Sequence, residues 1–88
     1  MRTIAFLKVG KITHYYDKIG VGVIRLTNGV LSLGDKIKIK SNDDEFIQEI
    51  KSLQVEHQEV DTIKAGDDAG IKLDQAVHPV AEVYKDNG

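Results

Sequence analysis

Three lysines at every second position, Lys36, Lys38 and Lys40, form the clearest array in this 88-residue chain whose type and spacing could do chemistry. On an extended strand, residues two apart share a face, so the three ammonium groups would project together and could contact successive phosphates. The other use of such a row is a solvated outer face that discourages edge pairing. Asp43, Asp44 and Glu45 follow closely and would offset part of its field. A second cluster, His14-Tyr15-Tyr16-Asp17-Lys18, gathers aromatic and ionisable groups where a connection between strands is expected. Tyr15 or Tyr16 could stack on a base there. Alternatively, one tyrosine packs over an end of the fold and the other stands exposed.

Other chemistries find no support. His57 and His78 stand alone, and Asp67-Asp68 lacks the ligand series that calcium would need, so turn chemistry explains that pair. The chain has no cysteine, which removes disulfides, thiolate zinc sites and a cysteine nucleophile. No serine–histidine–aspartate or paired-carboxylate arrangement can be nominated. No Gly-x-x-x-x-Gly-Lys-[Ser/Thr] phosphate loop is present, and Gly66-Asp67-Asp68-Ala69-Gly70-Ile71-Lys72 is no substitute. The expectation is a protein that is not an enzyme and carries no metal or cofactor. A formal net charge of −2 and a pI of about 5.8 exert no bulk pull on nucleic acid, so a DNA partner is not expected and RNA would need a local patch. The N-terminal apolar stretch is too short for a signal peptide and nothing reaches the length of a membrane span, so a cytoplasmic location is expected, without a membrane partner.

The elements that must position these residues read as strands. Hydrophobic residues make up 41% and charged residues 30%, the balance of an ordinary globular domain, and the length fits one domain over residues 1–88. No heptads or internal repeat of fixed period are visible. Alternation predicts a strand from Thr3 to Thr13, with Ile4, Phe6 and Lys8 on one face and a kink at Gly10. A connection over His14–Lys18 and a strand from Val21 to Leu26 follow. Asn28-Gly29 is a strong turn signal. Gly34-Asp35 turns into a strand over Lys36–Lys40, whose Ile37 and Ile39 face inward. After a turn at Asn42-Asp43-Asp44, Glu45–His57 reads as one long strand bulged near Lys51-Ser52, although Phe46, Ile50 and Leu53 also fit helical spacing. Val60–Lys64 reads as a connection and Ala65–Asp68 as a tight turn; Ala69–Leu73 and Val80–Tyr84 close the fold. The terminal Asp86-Asn87-Gly88 is expected to fray. Six or seven short antiparallel strands with turns every 8–12 residues predict an all-β, closed barrel.

Two segments carry a more specific resemblance. Gly20-Val21-Gly22-Val23-Ile24-Arg25-Leu26 through Gly29 to Gly34-Asp35-Lys36-Ile37-Lys38-Ile39 is one. Ile50-Lys51-Ser52-Leu53-Gln54-Val55, Val60, Ile63 and then Ala65-Gly66-Asp67-Asp68-Ala69-Gly70-Ile71-Lys72-Leu73 is the other. In this order the chain, from about Val9 to Tyr84, resembles the second, barrel-shaped domain of elongation factor Tu and the other translational GTPases. Gly34, Asp35, Gly66 and Gly70 read as structural: Ala65-Gly66 makes a sharp turn where a side chain would collide, and Gly70 lets a strand pass close to its neighbour. The resemblance implies a non-catalytic binding module whose partner is ribosomal RNA, tRNA or a protein of the translation apparatus. In elongation factor Tu an acidic and a basic side chain near the long fourth strand help hold the aminoacylated end of tRNA. Lys51-Ser52-Leu53-Gln54 aligns there without that pair, leaving Lys51 as the basic candidate. Similar barrels are also appended to collagenase-like peptidases, which implies the alternative of an interaction, scaffold or accessory substrate-recognition domain for a separate enzyme.

Overall fold

The computed structural model describes residues 6–41, 44–78 and 80–86, and among these every regular element is a strand. They are β1 (Phe6–Tyr16), β2 (Val21–Leu26), β3 (Val30–Ser32), β4 (Lys36–Ser41), β5 (Asp44–Glu49), β6 (Leu53–Val55), β7 (Gln58–Glu59), β8 (Thr62–Lys64), β9 (Asp68–Lys72) and β10 (Ala81–Asp86). Eight form one antiparallel sheet in the order β5-β4-β10-β1-β2-β9-β6-β7, and β3 pairs with β8. The fold is all-β, as expected. The ten strands exceed the expected six or seven because β3, β6, β7 and β8 have only two or three residues, too few for alternation to register.

Inward positions are the apolar members of each alternation. Ile12, Ile24, Leu26, Leu31, Ile37, Ile39, Leu53, Ile63, Ile71 and Val83 are all buried, and together they make one core. The expected run Glu45–His57 divides at Lys51-Ser52, because β5 pairs with β4 whereas β6 pairs with β7 and β9. No helix forms there. β1 does not stop at Thr13: it continues through His14, Tyr15 and Tyr16, and the connection is the turn Asp17–Gly20, where the Gly20 amide donates to Tyr16 O at 2.9 Å. Two register shifts, between Lys8 and Gly10 and between Ile12 and His14, supply the kink in this long strand. Val60–Lys64, expected as a connection, contains β8. Asp86, expected in the tail, ends β10 opposite Phe6. Thr3, Ile4, Asn42, Asp43, Asn87 and Gly88, also the subject of expectations, lie outside the described residues.

The centre of the fold is built from two matching corners. Around the pairing of Leu31 with Ile63, hydrogen bonds recur with an offset of 32 residues. In the first corner the Asp35 amide donates to Ser32 O (3.1 Å), and the Ser32 amide donates to the Asp35 carboxylate (2.8 Å). In the second, the Asp67 amide donates to Lys64 O (3.0 Å) and the Lys64 amide to the Asp67 carboxylate (3.0 Å). Gly34 N to Ile50 O is matched by Gly66 N to Leu26 O, and Leu33 N to Asp61 O by Ala65 N to Gly29 O. Both turns require a residue at positive φ, which Gly34 (φ 90°) and Gly66 (φ 99°) supply. A side chain at either glycine would meet nothing within 4 Å. The collision expected at Gly66 is therefore absent; backbone dihedral, not space, selects glycine there.

The ladder leaves a seam between β5 and the segment after β9, and Gln48 closes it. Its side chain is buried on β5; Nε2 donates to Lys72 O at 2.8 Å, and Oε1 accepts from the Asp74 amide at 2.8 Å. One amide side chain thus takes the place of a ladder step. Leu73 and Val77 are buried beneath the segment, and Ser41 Oγ donates to His78 O at 3.5 Å. Replacing Gln48 by leucine leaves the Lys72 carbonyl and the Asp74 amide without this partner, at a cost of about 2 kcal/mol. The expected result is a melting temperature lower by roughly 10 °C; calorimetry showing no change would remove Gln48 from this role.

Candidate binding groove

On the outer face, the strands β1-β2-β9-β6-β7 carry a groove of about 300 Å³ lined by Tyr16, Ile19, Val21, Val23, Gln54, Glu56, His57, Asp68, Ala69 and Gly70. Its origin is one missing side chain. Register places Val23 of β2 and Gln54 of β6 on either side of Gly70 of β9, so the row across the sheet is hollow at Gly70. A Cβ there would approach Val21 Cγ1 at 3.3 Å, a side-chain contact rather than a backbone clash. Close passage of the strands is thus a minor part of this glycine's role. It is also the floor of the groove.

The walls are apolar and aromatic. Val21 and Val23 face outward from β2, Ile19 is 58% exposed and Tyr16 is 48% exposed at the end of β1. The Tyr16 ring lies against His14, with centroids 4.4 Å apart and planes tilted by 48°. Tyr15, on the opposite face, is half-buried against the core. At one end Arg25 grips Asp68 through two bonds, Nε to Oδ1 at 3.0 Å and Nη2 to Oδ2 at 3.2 Å. The hydrogen bond from Arg25 holds the Asp68 carboxyl below its ordinary pKa, and the same bond raises that of Arg25. Toward the same strand end, beyond Gln54, Glu56 and His57 form the β6–β7 turn, both at positive φ (52° and 65°). Two-residue turns of this type favour Asn-Gly, so this lip is strained.

The predicted lysine row lies elsewhere. Lys36, Lys38 and Lys40 do share the outer face of β4, since Ile37 and Ile39 are buried. Register sets Lys36 opposite Glu49, and Lys40 between Glu45 and Glu82. Lys38 is half-buried, with Nζ 4.7 Å from the Phe6 ring centroid and 5.4 Å from that of Tyr84. These ammonium groups sit among carboxylates and rings, which offsets their field. Lys8 pairs with Glu82 at 2.7 Å, a hydrogen bond that lowers the Glu82 pKa and raises that of Lys8. Lys51 is exposed and pairs with Asp74 at 3.4 Å, so it belongs to the seam and not to either array. Among the described residues, no three histidine, aspartate or glutamate side chains gather as a metal site would require.

Of the residues singled out in the sequence, the groove contains Tyr16, Gly70, His57 and Asp68; Ile19, Val21, Val23, Gln54 and Glu56 were not singled out as site residues. A signal for part of it exists. In Val21-Gly22-Val23-Ile24-Arg25-Leu26 both faces are apolar, because Ile24 and Leu26 fill the core while Val21 and Val23 point away.

The fold is shared with known proteins. Residues 20–75 match the family described as elongation factor Tu domain 2. An uncharacterized protease of Methanocaldococcus jannaschii is 32% identical over 79 residues, 89% of this chain but 19% of that protein, so the chain spans about a fifth of its curated relative. The C-terminal domain of a Geobacillus thermoleovorans protein described as a U32 peptidase superposes with a TM-score of 0.84 at 19% identity, covering 92% of this chain and 93% of that one. Its selenomethionine variant gives 0.79 at 18% identity, with 86% and 95% covered.

The β6–β7 turn and the paired carboxylates each generate a prediction. Replacing Glu56-His57 by Asn-Gly relieves two unfavourable dihedrals and should stabilise the chain by on the order of 1 kcal/mol; a lower melting temperature would show that the turn is not strained. Asp68 and Glu82 have lowered folded pKa values, so their contribution is present above the ordinary carboxylate range and is lost as pH falls through the folded values. The D68N/E82Q variant should therefore lose less stability than wild type between about pH 5 and pH 2. Parallel acid limbs in pH-dependent melts would contradict that assignment. With its match extending over both corners and over β2, β6, β7 and β9 of the groove, the chain belongs to the elongation factor Tu domain 2 family.

Proposed function

We propose that this chain is a non-catalytic recognition barrel that holds an unpaired RNA end in the groove over Gly70, acting with the translation apparatus in the cytoplasm. The observation that carries the reading is the exposed Tyr16 ring beside the apolar wall of Ile19, Val21 and Val23, in a member of the elongation factor Tu domain 2 family. Every base has a flat apolar face, and stacking on an aromatic ring contributes about 1–3 kcal/mol per base. Gln54, Glu56 and His57 add polar groups at the rim that can orient a base edge. The groove lining carries Glu56 and Asp68 and no lysine or arginine, so the attraction in this reading is stacking and not phosphate contact.

The test is fluorescence anisotropy with short single-stranded RNA at low and moderate salt. Tyr16→Ala and Gly70→Leu should each weaken binding about tenfold or more, with melting temperatures little changed. Replacing Lys36, Lys38 and Lys40 together by glutamine should cost less, because those charges are already opposed by Glu45, Glu49 and Glu82. Unchanged affinity in both groove variants would sink the reading. So would a wild type that binds no RNA.

A second reading has its own support. The Methanocaldococcus relative is a protease about five times longer than the stretch it shares with this chain. A barrel that recurs as a small part of such a protein serves as an accessory recognition domain for a peptidase, with chemistry done elsewhere. The two readings are compatible, since an accessory barrel can bring RNA to its enzyme.

A further inference from the structure

Beyond the groove, one end of the barrel is unfinished. Leu7 of β1 lies opposite Lys85 of β10, and Lys85 lies opposite Ile37 of β4. Cross-strand partners share a face, so all three point to the inner side of the sheet. Ile37 is fully buried, yet Leu7 is 51% exposed. Strands β1 and β10 therefore overrun the core and carry an inward-facing leucine past its edge. Lys85 reaches across this end, donating to Val30 O at 2.9 Å and lying 3.6 Å from Asp35 Oδ2. That reach brings β3 and its turn alongside, where Val30 and Leu33 are each 43% exposed. The result is an apolar rim with the half-buried Lys85–Asp35 pair at its centre. It is separate from the groove, which lies toward the other end of β1 at Tyr16.

We propose that the rim formed by Leu7, Val30 and Leu33 is the docking surface for a U32-type peptidase domain, an inference that rests on the accessory-domain reading. The occupant follows from where the rest of the protein attaches in the relatives. In the Geobacillus protein the matching barrel is the C-terminal domain, so what precedes it joins at the start of β1, the end that carries Leu7. In the Methanocaldococcus protease most of the chain lies outside the matched region. A domain joined there starts next to the rim, and docking on it would remove three exposed apolar side chains from water. The groove then faces away from the docked domain and remains open to RNA.

A photo-crosslinking amino acid placed at Leu33 in the intact chain, in cells, tests this directly. The expected product is a cross-link to a U32 peptidase domain identified by its peptides, with none from the same probe at Ile47, which is also exposed but on the outer face of β5. Cross-linking to a second copy of the chain, to Met1–Ala5 of the same chain alone, to an unrelated protein, or to nothing would overturn the proposal. A second measurement uses the L7S/L33S variant, whose changes are at exposed positions. It should recover at least tenfold less peptidase than wild type, while its melting temperature and RNA affinity stay the same. Equal recovery by variant and wild type would overturn the docking surface and keep the accessory-domain reading. No peptidase with either would overturn both.

Discussion

The fold depends on how a short sheet closes without a continuous ladder. Strand β5 is an edge, and an edge exposes amide and carbonyl groups that invite pairing with other chains. Gln48 meets this constraint by presenting a donor and an acceptor in one side chain, set between Lys72 O and the Asp74 amide. A primary amide has the same hydrogen-bonding groups as a peptide unit, which lets it continue the pattern where no strand is available. The segment it holds, Leu73 through His78, then covers the core with Leu73 and Val77. Because Gln48 is buried, its two bonds are formed in low dielectric, where losing them is costly.

The corners show what can be read from a sequence and what cannot. Leu33-Gly34-Asp35 and Ala65-Gly66-Asp67 are visible as turns, and both are turns. Their relation is hidden, since two tripeptides 32 residues apart do not make a period. The likeness appears only when Leu31 and Ile63 pair and the same set of bonds repeats on either side. The reason for glycine was also misplaced by sequence alone, because a tight turn suggests crowding whereas the structure shows open space and a positive φ. Strand identities were legible wherever alternation ran for five residues or more, as in β2 and β4. Lys51-Ser52 was legible as an irregularity, but the change of partner strand there is a tertiary event that no local pattern encodes.

The site was less legible for a related reason. Charged and aromatic residues attract notice, so the lysine row and the two tyrosines stood out. The side chains opposite them decide their use. Glu45 follows the row closely enough to be noticed, but Glu49 and Glu82 are remote in sequence from the lysines they face, and only register brings them together. Tyr15 and Tyr16 are adjacent, yet strand geometry sends one toward the core and the other into the groove. The groove itself is defined by an absence at Gly70, and its neighbours Val23 and Gln54 come from β2 and β6.

The two corners are alike, but the paths into them are not. Leu26 is followed by a short link into β3, whereas Ile50 reaches β8 only after the β6–β7 hairpin. That hairpin has no counterpart in the other half. It adds Leu53 and the half-buried Val55 to the core, and its turn carries two non-glycine residues at positive φ. It also forms one wall of the groove through Gln54, Glu56 and His57. Symmetry explains the elements that fold the chain, so the strained and asymmetric element is where selection for something other than folding is most visible. Gly70 joins the two accounts. It sits in the family's second signature segment and on the β9 strand leaving the second corner, and the side chain it lacks is the space that the hairpin encloses.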